Sequence, residues 1–122
     1  MNQKTVLIAD DEPNILISLE FLMKREGHEV VLARDGIEAL DAIRREKPAL
    51  VLLDVMMPGR TGFEDCQAVR ADEALAGVKI LMLTAKGRDT DVAHGLGLGA
   101  DGYMTKPFAT KELAERVRQL LS

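Results

Sequence analysis

Five short runs rich in Val, Ile and Leu punctuate the chain, at residues 5–9, 29–33, 49–53, 78–83 and 103–105, and the apolar residues between them recur at helical spacing. Strand-length apolar runs alternating with helical patterns predict βαβ units, hence one parallel sheet in an α/β domain. The third run, Ala49-Leu50-Val51-Leu52-Leu53, is apolar at every position, which predicts a central strand covered on both faces. The second and fifth runs are mixed and read as outer strands.

The helical stretches carry start signals. Pro13 suits a first helical position, Asp35 with Glu38 and Thr61 with Glu64 have capping-box spacing, and Thr110 is placed to cap the last helix. Inward stripes follow: Ile15, Leu16, Leu19 and Met23; Ile37, Leu40 and Ile43; Phe63, Cys66 and Val69; Leu113, Val117, Leu120 and Leu121. The stretch 89–98 is a weaker helix, because Gly95 and Gly97 lower its propensity and its apolar face is only Val92, Ala93, Leu96 and Leu98. It is the element expected to be most mobile. Gly99 reads as a helix stop; Gly97, Gly99 and Gly102 have dinucleotide-loop spacing but follow a helix and precede a strand, so that reading is rejected.

A length of 122 residues with 47% hydrophobic and 30% charged side chains suits a single globular domain spanning 1–122. The net charge of −4 with scattered Lys and Arg argues against direct nucleic-acid binding. The single Cys66 excludes an internal disulfide, and no stretch reads as a signal peptide or membrane span, so a cytoplasmic location is expected. Cys66 on its apolar stripe reads as an inert buried thiol, and His28 and His94 as solvated.

The chemistry sits at the ends of the inner strands. Asp10 and Asp11 follow the first run, Asp54 the third, Thr84 the fourth and Lys106 the fifth. In a parallel sheet these positions share one edge, the edge where open α/β sheets bind ligands. Two carboxylates about 4 Å apart repel by about 4 kcal/mol at an effective dielectric near 20, so Asp10, Asp11 and Asp54 together call for a cation. An all-oxygen site without imidazole or thiolate favours Mg²⁺ over zinc. Asp54, already ionised at neutral pH, needs no general base to attack phosphorus, and Lys106 and Thr84 are placed to neutralise phosphoryl oxygens.

Four runs carry a resemblance: Ile8-Ala9-Asp10-Asp11-Glu12-Pro13, Leu52-Leu53-Asp54-Val55-Met56-Met57-Pro58-Gly59, Met82-Leu83-Thr84-Ala85-Lys86, and residues 99–108 with Tyr103, Lys106 and Pro107. In this order they resemble the signature blocks of response-regulator receiver domains, including the chemotaxis-regulator type. The resemblance implies a flavodoxin-like doubly wound fold with strand order 2-1-3-4-5 and helices on both faces. It implies Asp54 as phosphoacceptor, and Mg²⁺ held by Asp11, Asp54 and the Met56 backbone carbonyl, with Asp10 acting through water. It further implies Thr84, Ala85 and Lys106 around the phosphoryl group and Thr84 and Tyr103 as a switch pair; separately, the X-Pro bond Lys106–Pro107 can be cis, which would aim the lysine into the site.

The implied partners are a sensor histidine kinase or histidine phosphotransfer protein and an output protein or domain. The implied role is a phosphorylation-activated regulator with self-catalysed phosphotransfer and slow autodephosphorylation, not a turnover enzyme. Val92 stands where the DNA-binding winged-helix class carries a basic dimer residue, so a monomer or weak phosphorylation-dependent dimer is expected. Two alternatives stay open: a stand-alone phosphorelay intermediate, and a Mg²⁺-dependent aspartyl-phosphate phosphohydrolase. The second would want an acid two residues beyond the nucleophile, where Met56 stands. A flavodoxin-like electron carrier is disfavoured, since Asp10-Asp11-Glu12 would repel a phosphate.

Overall fold

A computed structural model describes residues 4–84 and 89–122, with the side chains of residues 89–92 outside that description. Five strands, β1 (Thr5–Ala9), β2 (Glu29–Ala33), β3 (Leu50–Asp54), β4 (Lys79–Thr84) and β5 (Gly102–Thr105), form one parallel sheet in the order 2-1-3-4-5. The helices are α1 (Pro13–Arg25), α2 (Gly36–Glu46), α3 (Gly62–Arg70), α4 (Asp89–Gly97) and α5 (Thr110–Leu121), with a short 3₁₀ turn at Glu73–Leu75.

All five residues of β3 are buried, because the strand feeds two cores. Val51 and Leu53 face one cluster with Ala39, Leu40 and Ile43 of α2 and Cys66 and Val69 of α3; Leu50 and Leu52 face another with Leu16, Leu19 and Met23 of α1 and Leu113 and Val117 of α5. Covering both faces is what permits a strand with no polar side until its last residue. The strands β3 and β4 run one residue further than the apolar pattern suggests, so Asp54 and Thr84 are the last ladder residues and pair with Leu83 and Thr105 respectively.

Caps follow the expected chemistry in two places. The Asp35 carboxylate accepts from the Glu38 N–H at 2.8 Å, and Thr61 and Glu64 form a reciprocal box with both bonds made, at 3.1 and 3.0 Å. Thr110 is different. The Leu113 N–H bonds the Ala109 carbonyl at 3.0 Å, so the helix begins one residue earlier and Ala109, not Thr110, is the N-cap.

Three expected core positions face outward, Ala93 among them. Ile37 is 55% exposed and Leu96 is 46% exposed. In α2 the inward face is Gly36, Ala39, Leu40 and Ile43, and in α4 it includes Gly95. Small residues hold these places because the backbones come close. A Cβ on Gly95 would stand 2.8 Å from the Met82 sulfur and 3.2 Å from Cε2 of Tyr103. Gly36 packs its Cα directly against the Arg60 main chain.

The far end of α4 is tied down. Gly99 adopts φ of +102°, and the Ala100 N–H reaches back to the Gly95 carbonyl while Gly99 N–H bonds Leu96, a Schellman closure. From α3, Arg70 Nε donates to the Gly99 carbonyl at 2.8 Å and its guanidinium pairs with Asp101 at 2.8 Å; Asp101 also accepts from the Ile80 N–H.

Cys66 Sγ lies 3.7 Å from the Leu98 carbonyl, and burial pushes its thiol above the usual range. Native protein should therefore resist alkylation by a small thiol reagent, with labelling appearing only across the urea unfolding transition. His28 is half-buried rather than solvated, while His94 is exposed and makes an edge contact with Phe63 at 4.6 Å between ring centroids.

Candidate functional site

The strand order reverses between β1 and β3, and the crevice outside their carboxyl ends is where a doubly wound sheet binds its ligand. Asp10 leaves β1 there, its N–H still bonded to the Ala33 carbonyl of β2 at 3.1 Å, and its carboxylate accepts from the Glu12 N–H at 2.9 Å. Asp54 ends β3 beside it. Asp10 is fully buried, Asp54 nearly so, and Asp11 is exposed. One carboxylate oxygen from each of Asp10, Asp11 and Asp54 lies within 4.8 Å of the others.

Lys106 reaches the same point from the end of β5. Its N–H bonds the Thr84 carbonyl at 2.6 Å, and its ammonium lies 2.5 Å from Asp10 Oδ2 and 3.5 Å from Asp54 Oδ1. The Lys106–Pro107 bond is cis. Thr84 is buried at the end of β4, facing the same edge of the sheet. The sequence-derived set Asp10, Asp11, Asp54, Thr84 and Lys106 thus occupies one edge, with the Lys106 ammonium paired to Asp10 and Asp54 and Asp11 close by. Ala85 lies outside the described residues, as does the side chain of Val92. Tyr103 is half-buried on β5, its ring against Gly95 of α4.

The electrostatics are those of a site with excess negative charge. Burial, followed by the Asp10 charge, raises the Asp54 carboxyl to about 6, although Lys106 and the Met56 N–H hydrogen bond pull the other way. Burial works against the Lys106 ammonium, yet the hydrogen bond to Asp10 and the charges of Asp54, Asp10 and Glu12 outweigh it and hold the lysine above its ordinary value. Three carboxylates and one ammonium sum to −2, which a hard divalent cation with oxygen ligands would neutralise. The residues fit such an ion.

The chain matches the sequence model of the response regulator receiver domain over residues 6–118. The protein belongs to the response regulator receiver domain family. Solved structures agree. A candidate response regulator from Chloroflexus aurantiacus J-10-fl is 37% identical, with 98% of each chain covered and a TM-score of 0.92. The chemotaxis response regulator CheY4 of Vibrio cholerae is 32% identical over 97% of this chain and 98% of its own, with a TM-score of 0.91. The BeF3-activated N-terminal receiver domain of Klebsiella pneumoniae RstA is 30% identical over 96% and 97%, with a TM-score of 0.89. No helix among the described residues is long and apolar enough to cross a membrane.

One pair of charged residues near this receiver site escapes the strand-end reading. Arg60, in the connection after β3, pairs at 2.7 Å with Asp65, a fully buried carboxylate of α3. The available signal was periodicity: Gly62, Asp65, Cys66 and Val69 are the buried positions of α3, so an acid occupies a place on the inward stripe.

Proposed function

We propose that this receiver domain accepts a phosphoryl group on Asp54 from the phosphohistidine of a sensor kinase or histidine phosphotransfer protein, in a Mg²⁺-dependent step, and passes the change to an output partner. The observation that carries the reading is the cluster itself: Asp54 beside Asp10 and Asp11, with the Lys106 ammonium 3.5 Å away. The RstA domain described as BeF3-activated supports it, since that anion has the shape and charge of a phosphoryl group.

The Asp54 carboxyl at about 6 is predominantly ionised at neutral pH, so an Oδ atom is ready to attack. As the Oδ–phosphorus bond forms, the phosphorus–nitrogen bond of the donor breaks and the electron pair leaves on the imidazole. Bound Mg²⁺ would be held by Asp11, Asp54 and the Met56 carbonyl, with Asp10 through water, and would neutralise charge on the equatorial oxygens. Lys106 is placed to bind a phosphoryl oxygen, exchanging part of its contact with Asp54 for it, and the Thr84 hydroxyl to bind another. The inward shift of Thr84 and the turning of Tyr103 would reshape the face of α4, β5 and α5. Self-catalysed transfer and slow loss of the phosphoryl group make this a regulator rather than a turnover enzyme, acting as a monomer or weak phosphorylation-dependent dimer. Met56, where a phosphohydrolase would carry its general acid, supports that choice.

Incubating the protein with a small phosphodonor and Mg²⁺ should add one phosphoryl mass by intact-protein mass spectrometry, and chelation beforehand should prevent it. An adduct formed equally well in chelator would refute the metal-dependent reading.

A further inference from the structure

The segment that follows Asp54 is fixed from outside the acid cluster. The Val55 N–H bonds the Leu83 carbonyl at 3.0 Å, the Gly62 N–H bonds the Val55 carbonyl at 2.8 Å, and Gly36 N–H of α2 bonds the Pro58 carbonyl at 3.1 Å. The chain then turns at Gly59, with φ of +82°, and Arg60 lays its side chain over the first turn of α3. Arg60 Nε donates to Asp65 Oδ1 at 2.7 Å, and a terminal nitrogen donates to the Glu64 carbonyl at 3.2 Å. Asp65 is fully buried, and its second oxygen, Oδ2, has no hydrogen-bond partner among the described residues.

An ion pair that buries its carboxylate with one oxygen unmatched, while the arginine stays partly exposed, is a poor source of stability, because apolar side chains of similar volume commonly do as well or better. What such a pair supplies is geometry: a planar guanidinium with one nitrogen on the fixed Asp65 carboxylate and another on the Glu64 carbonyl sets the position of the arginine main chain. Here the Arg60 main chain is packed on Gly36 while its side chain is held by α3, so the residue is gripped from both sides. Only three residues separate it from Met56, whose N–H bonds the Asp54 carboxylate.

We propose that the Arg60–Asp65 pair is a positioning device for the cation side of the site, fixing residues 55–60 so that the Met56 main chain and Asp54 stand ready for a divalent ion. Neither residue touches a ligand; both act through the connection between β3 and α3. The inference rests on the reading of Asp10, Asp11 and Asp54 as a cation site, and it deepens that reading by naming what tunes its affinity.

The test uses the double variant Arg60→Met/Asp65→Leu, which replaces the pair with apolar groups of similar size, and Arg60→Lys, which keeps the charge but loses the planar guanidinium. Urea unfolding without metal reports the fold, and calorimetric titration with MgCl₂ reports the site. The double variant should unfold at a urea midpoint equal to or above wild type while binding Mg²⁺ about tenfold more weakly, the usual order for loss of a residue that orients ligands, with Arg60→Lys in between. Binding within about twofold of wild type in the double variant would overturn the inference and leave the cation reading intact. Affinity lost only in step with stability would also overturn it, assigning the pair to the fold. Wild-type protein that takes up no Mg²⁺ would overturn both readings together.

Discussion

Asp54→Asn is expected to abolish phosphoryl incorporation and, at the same time, to make the metal-free domain more stable. The two effects have one origin. Asp54 is buried beside Asp10 with Asp11 close by, and its carboxyl is raised from 3.8 to about 6, so the folded state resists its ionisation. A shift of that size, which already includes the opposing pull of Lys106, corresponds to roughly 3 kcal/mol of destabilisation at neutral pH. An amide removes the charge and with it the nucleophile. The sign in pH follows: because the folded pKa is raised, the cost is full above about 6 and fades as pH falls toward 3.8, so this group makes wild type more stable on acidification from pH 7 toward 4. Urea midpoints at pH 7 and pH 5 should therefore converge between wild type and Asp54→Asn as pH is lowered. Millimolar Mg²⁺ should raise the wild-type midpoint and leave the variant's nearly unchanged. A variant less stable than wild type at pH 7 without metal would contradict the electrostatic account of the cluster.

Gly62→Ala should strongly destabilise the fold at the site. A Cβ there would collide with the Asp54 carbonyl oxygen and stand 3.0 Å from the Val55 Cα. Both obstacles are backbone, at the end of a fully buried strand, so relief requires moving β3 or α3. Overpacking of this kind is expected to cost about 3 kcal/mol or more. Any repacking displaces Asp54 itself, so Mg²⁺ affinity should fall along with the urea midpoint. Gly97→Ala gives the contrast: nothing lies within 4 Å of its added Cβ, and alanine's helix propensity should stabilise α4 by about 0.5–1 kcal/mol. Equal midpoints for the two variants would mean that the close approach of α3 to β3 carries no strain when filled.

The strand ends were legible because a parallel sheet is periodic: once runs 5–9 and 49–53 are strands, Asp10 and Asp54 must fall on one edge whatever the helices do. The caps at Asp35 and Thr61 were equally local, each a side chain bonding an amide three residues on. What misled was size. Ile37 and Leu96 are large and apolar, so a hydrophobic stripe claims them, yet helix packing turned Gly36 and Gly95 inward because these admit the Arg60 main chain and the Tyr103 ring. An inward glycine cannot be recognised by hydrophobicity, since its contribution is distance rather than area. The Arg60–Asp65 pair was hidden for the opposite reason. A buried acid is visible as a break in the stripe of α3, but its partner, five residues earlier and outside the helix, has no fixed spacing that announces it.

The Schellman closure at Gly99, together with Arg70's grip on the Gly99 carbonyl and Asp101, makes the Gly99 end of α4 a fixed pivot. A nine-residue helix is about 13 Å long, so a tilt of about 10° about the pivot carries the Asp89 end through about 2 Å and leaves the Gly99 end nearly still. Gly95 lies close to the pivot, against the Tyr103 ring, where leverage is smallest. An ångström-scale change in the room beneath Gly95 is therefore multiplied along the helix, and the amplitude felt by anything resting on α4 is set by how far from Gly99 it touches.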